Sequence, residues 1–224
     1  MNYVRKAEGE RQVDMDEKPI LFSGEMVRAI LQGRKTQTRR VIKPQPVQDP
    51  DESWRFEIHP RSGYNTERTM RHYLPDRCRY GKPGDRLWVR ETWVCYDPSD
   101  GEQYYKEPIP ESKPEGIGIA YRADHSEDPG EGWRPSIFMP RWASRITLEI
   151  ADVRIERVQE ISIPDCWSEG VTVDEVLHLS RGQKPSDIIN AFATLWNTIN
   201  DDRGYGWEVN PWVWVIGFKV VRNG

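Results

Sequence analysis

A chain of 224 residues is long enough for one elaborated domain, and its 10 Trp and 9 Tyr exclude wholesale disorder despite a polar composition. No apolar run approaches the roughly 18 residues that cross a bilayer, and Met1 to Glu17 lacks the apolar centre of a signal peptide, so a cytoplasmic protein with no membrane partner is expected. The net charge of −4 is small and conceals long runs of one sign.

After a polar arm over residues 1–17, Lys18 to Phe22 reads as a short strand. Ser23 follows as an N-cap, and Met26, Val27, Ile30 and Leu31 make one apolar helical stripe, closed by Gly33 as a left-handed C-terminal residue. Lys35 to Ile42 is extended and ends before Pro44 and Pro46. Gln45 to Tyr80 is a polar stretch with isolated aromatics and reads as loop with strands. Gly81 to Asp85 is a turn, and Leu87, Trp88, Val89, Trp93 and Val94 give Arg86 to Cys95 the composition of a strand. Seven of the 17 prolines lie from Pro98 to Pro140, marking a long excursion in which Ile117 to Tyr121 is strand-like.

Arg145 to Val158 is the clearest strand. Its apolar parity shifts near Asp152, from Ile146, Leu148 and Ile150 to Val153 and Ile155, so a bulge is expected there. Pro164 to Glu169 reads as a short helix, and Ser186 as the cap of a longer one with Ile188, Ile189, Phe192, Leu195, Trp196 and Ile199 on one face. The last strand, Trp212 to Val220, is apolar on both faces and therefore central. The expected fold is mainly β with flanking helices (α+β), a closed or nearly closed small barrel spanning 18–224 as a single domain.

Arg28 to Lys43 holds six cations and no acid, whereas Asp97 to Glu131 holds ten acids against Lys106, Lys113 and Arg122. Arg68 to Arg90 is a second basic run. Such runs are either solvated faces or a phosphate-facing patch with an acidic flank. Cys78, Cys95 and Cys166 form no C-x-x-C pair, and the four His show no ligand spacing, so no disulfide framework, metal or cofactor is expected. No phosphate-binding or dinucleotide fingerprint is present.

Four stretches carry a resemblance: G-R-K-T-Q-T at Gly33 to Thr38, G-D-R-L-W-V at Gly84 to Val89, the strand and short helix from Ile146 through Glu169-Gly170, and the terminal strand Trp212 to Val221. Together they resemble an ASCH domain, a PUA-like β-barrel. With M-P-R-W-A-S at Met139 to Ser144, the chain is similar to the longer ASCH-like proteins carried by prophages of enteric bacteria. The regions at about 45–80 and 97–140 then read as insertions. The resemblance implies an amidohydrolase that removes the acyl group from N4-acetylcytidine, with Lys35, Thr38 and Glu169 at the catalytic positions.

The residue types suit that chemistry: Thr38 or a water attacks, Glu169 moves protons, and Lys35 activates the hydroxyl or holds the oxyanion. In a regular strand, residues three apart face opposite ways, so Lys35 and Thr38 meet only if Lys35 lies in the turn or a bulge intervenes. Arg34, Arg39 and Arg40 are candidate phosphate contacts, and Trp93 or Trp142 a candidate base-stacking platform. The competing expectations are a module that binds RNA or a modified base without catalysis, and a ribonuclease. The acidic insertion offers a surface for a protein partner.

Overall fold

The computed structural model describes residues 17–55, 63–64, 66–99, 101, 108–125, 132–172 and 185–223. Apart from Glu17, the polar arm lies outside them. Strand β1 (Glu17–Leu21) leads through Phe22 into helix α1 (Gly24–Leu31), where the Ser23 hydroxyl accepts from the Met26 amide and Gly33 takes a left-handed φ of 71°. Strand β2 (Gln37–Val41) follows, then the short strands β3 (Val47–Gln48), β4 (Trp54–Arg55) and β5 (Gly63–Tyr64), and helix α2 (Glu67–Tyr73).

The expected strand over Arg86 to Cys95 is two strands, β6 (Arg86–Arg90) and β7 (Trp93–Tyr96), which belong to different sheets. The break falls at Glu91, a carboxylate buried against the guanidinium of Arg145, and Thr92, whose carbonyl accepts from Arg122. Strand β8 (Gly118–Tyr121) pairs antiparallel with β7. After β9 (Ile146–Arg157) come helix α3 (Ile163–Ser168), helix α4 (Pro185–Asn200) and strand β10 (Trp212–Asn223). Helix α4 starts one residue ahead of the expected cap, Ser186.

The principal sheet has the order β1-β6-β9-β10-β2, and its ladder is antiparallel except between β1 and β6. The last strand is interior, as its two apolar faces require: Trp212, Trp214, Ile216 and Phe218 enter the main core, while Val213 and Val215 pack under α4 with Phe192 and Trp196. The bulge lies where the parity shift places it. Gly217 faces Asp152 and Phe218 faces Ile150, leaving Ala151 as the extra residue and returning Val153 and Ile155 to the face of Ile146, Leu148 and Ile150.

The fold is thus α+β around a five-stranded sheet; no ladder among the described residues joins β1 to β2 into a closed barrel. Segment 45–80 is integral to the main core, to which it gives Trp54, Tyr64, Met70, Leu74 and Cys78. Trp93, Cys95, Ile117, Met139 and Ala143 form a separate small core. All three cysteines are buried and free, and burial raises each thiol, that of Cys166 to about 11. No described helix is long and apolar enough to cross a membrane.

Candidate functional site

The site begins at the end of α1. With Gly33 left-handed, the amides of Arg34 and Lys35 both donate to the Ala29 carbonyl, and the chain turns before β2 starts at Gln37. Lys35 therefore sits in the turn and escapes strand alternation. It forms an isolated antiparallel bridge with Glu169 at the end of α3, reinforced by a bond from the Thr36 amide to the Ser168 carbonyl. Gly170 makes this approach feasible: its φ is 79°, and a Cβ there would lie 2.9 Å from Lys35 Cβ and 3.0 Å from Ala29 Cβ.

The ammonium of Lys35, in a residue only 1% exposed, donates to the Glu169 carboxylate Oε2 and to the Glu169 carbonyl, both at 2.8 Å. Burial lowers the Lys35 pKa, with the Glu169 charge opposing. The other carboxylate oxygen of Glu169 accepts from Arg39 Nη1 at 3.1 Å. Arg39 Nη2 also reaches Glu156 at 2.8 Å and Asp165 at 3.1 Å, and Arg154 closes the network by donating to the same two carboxylates. Burial alone would raise Asp165, but Arg39, the Ser162 hydrogen bond and Arg154 hold it below its usual value.

Above this floor lies a cavity of about 260 Å³ beside β2, which is one of the two edge strands of the sheet. Lys35, Thr38, Arg39, Arg40 and Glu169 all line it, so the three residues expected at the catalytic positions share one cavity with two of the three expected phosphate contacts. Helix α4 contributes Phe192, Leu195, Trp196, Ile199 and Asn200, and Tyr80 and Met26 add further apolar lining. Lys43, Arg79 and Arg203 complete it, giving six cations against the single carboxylate of Glu169. The two basic runs of the sequence therefore converge here, the second through Arg79.

The remaining candidates lie elsewhere. Arg34 donates to the Gly170 carbonyl and to Gln32, outside the cavity lining. Trp93 and Trp142 meet edge to face, with centroids 5.7 Å apart, inside the small separate core, where the Trp142 indole donates to the Pro110 carbonyl. Trp93 is 1% exposed, so neither ring offers the cavity a stacking face. Sequence reasoning missed Asp165 and Glu156, the carboxylates that hold Arg39, and the α4 aromatics as lining. The signal for the first was Arg39 itself, a cation flanked by strand residues that bury it. No family model, curated protein or solved structure matches the chain.

Proposed function

We propose that the protein is an ASCH-like, PUA-like amidohydrolase that deacylates N4-acylated cytidine or a related modified nucleoside. The observation that carries this reading is the buried Lys35–Glu169 ion pair in the wall of a cavity that Thr38 also lines. The fold is compatible with a nearly closed PUA-like barrel: the Arg40 side chain on β2 donates to the Leu21 carbonyl on β1, linking the two edge strands of the sheet.

In this mechanism the Thr38 hydroxyl or a water adds to the acyl carbon, and its proton passes to the Lys35–Glu169 pair. In the ion pair the Glu169 carboxylate is the group able to take that proton, and burial, which lowers the Lys35 pKa, eases its transfer within the pair. The carbon–nitrogen bond breaks, and the pair returns the proton to the departing N4 amine. Water then releases the acid if Thr38 was acylated. Arg39 fixes the Glu169 carboxylate throughout.

The test is incubation with N4-acetylcytidine, following cytidine by chromatography, for the wild type, Lys35→Ala and Glu169→Ala. Release by the wild type and its loss by about 10²-fold or more in both folded variants is expected. No release at high enzyme concentration overturns the reading. The excess of cations around the cavity favours a second reading, recognition of RNA or a modified base without turnover, marked by affinity that falls steeply with salt and by unchanged ligand. Cut ends would instead identify a ribonuclease.

A further inference from the structure

Charge at the cavity is arranged in two tiers. The floor is compensated: Lys35 is paired with Glu169, and Arg39 with Glu169, Asp165 and Glu156. The wall and mouth are different. Arg40, Lys43, Arg79 and Arg203 line the same cavity, and among the described residues none of them forms an ion pair, although the Glu169 charge reaches Arg40. Three rest on aromatic faces instead: Arg40 on Phe22 at 4.9 Å, Lys43 on Tyr205 at 4.5 Å and Arg79 on Tyr80 at 5.6 Å.

Arg71, Arg141, Arg145 and Arg154 each carry at least one ion pair, and acids outnumber Lys and Arg by 36 to 32. Other described cations, Arg77, Lys82 and Arg86 among them, also form no ion pair; what distinguishes Arg40, Lys43, Arg79 and Arg203 is that they line one cavity. The four cations also come from separate segments: β2, the loop after it, the turn after α2 and the turn after α4. Their fields add at one opening, and an anion there gains charge-assisted hydrogen bonds for which no carboxylate competes, while Arg40 keeps its bond to the Leu21 carbonyl.

We propose that Arg40, Lys43, Arg79 and Arg203 form a phosphate subsite at the cavity mouth, so that the site takes a phosphorylated nucleotide in preference to the free nucleoside. This rests on the reading of the cavity as a pyrimidine nucleoside site. A 5′-monophosphate and a phosphodiester of single-stranded RNA present the same oxygens to such a subsite, and planar guanidinium groups suit both.

The experiment compares the affinities of cytidine, cytidine 5′-monophosphate and pentacytidylate RNA for the full chain by calorimetry. The variants are Arg79→Gln/Arg203→Gln and, as a charge control outside the cavity lining, Lys82→Gln. The monophosphate is expected to bind about tenfold or more tighter than cytidine, the preference shrinking as salt rises from about 50 to 200 mM. The double variant should lose most of that preference, and Lys82→Gln should keep it.

Equal affinity for cytidine and its monophosphate, or a preference unchanged in the double variant, overturns the subsite. Pentacytidylate binding above the monophosphate identifies the phosphate as a strand diester; binding at or below it identifies a free nucleotide. Phosphate preference without turnover of N4-acetylcytidine sinks the hydrolase and leaves the subsite. Turnover without phosphate preference does the reverse.

Discussion

At Arg39 three carboxylates from two elements converge on one buried guanidinium, with Glu156 on β9 and Asp165 and Glu169 on and after α3. Removing the cation takes one partner from each of three carboxylates, which Arg154 and Lys35 compensate only in part, so Arg39→Met should cost about 3 kcal/mol, read as a fall in the urea midpoint. Arg39→Lys should recover little, because a single ammonium cannot serve both arms of the fork. The same cluster sets the pH response. Asp165 is held below its usual range, so the unfolded state binds more protons as pH drops below about 3.9, and stability present above that value is lost beneath it. Lys35 is also lowered, mainly by burial, so the unfolded state again binds more protons, this time up to about pH 10.4, and stability rises with pH through that window. Asp165→Asn should flatten the acid limb of the melting temperature against pH, and Lys35→Met the alkaline limb. Lys35, Thr38 and Glu169 were legible through a motif resemblance. Arg39 was legible only as a cation, because its partners lie 117 to 130 residues away and no local pattern encodes them.

Between elements, the join of α3 to the turn before β2 depends on a residue without a side chain. Gly170→Ala forces a Cβ into the left-handed region and against Lys35 and Ala29. The cost should be about 1–3 kcal/mol in thermal denaturation, and because the clash falls on Lys35, the hydrolase reading expects release of cytidine to drop more than the loss of folded protein accounts for. Signals confined to a few residues translated well into elements: the Ser23 cap, Gly33, and the parity shift that becomes the bulge at Ala151. Helix α2 did not. Its sequence E-R-T-M-R-H-Y buries only Met70 and carries no apolar stripe to read. The break at Glu91-Thr92 was hidden because apolar residues continue on both sides of it, and what stops the strand is a buried ion pair with Arg145, 54 residues further on.

Across the whole molecule, apolar side chains divide into a main core, a layer under α4 and the small core around Trp93. Hydropathy patterns reveal which face of an element is buried but not which distant element buries it, so a stretch set apart as an insertion can hold core residues, as Trp54 and Met70 do. The small core shares no residue with the cavity lining. Trp142→Ala removes its contact with Trp93 and its bond to Pro110, and should lower the unfolding midpoint by about 2–4 kcal/mol in stability. Ligand affinity of the folded fraction should remain unchanged, as titration by tryptophan-independent calorimetry would show. A parallel loss of affinity would mean that the two regions are coupled.

Lys35 and Glu169 are separated by 134 positions. At about 5–20 residues per second, a ribosome needs on the order of ten seconds to travel from one to the other. For most of that interval the segment from Arg34 to Arg40 carries its positive charges while Glu156, Asp165 and Glu169 have yet to be made. Strand β10, which holds β2 in the sheet, arrives later still. The nascent chain therefore passes through a stage in which the cations of its future cavity floor exist without their partners, and only the final third of synthesis supplies them.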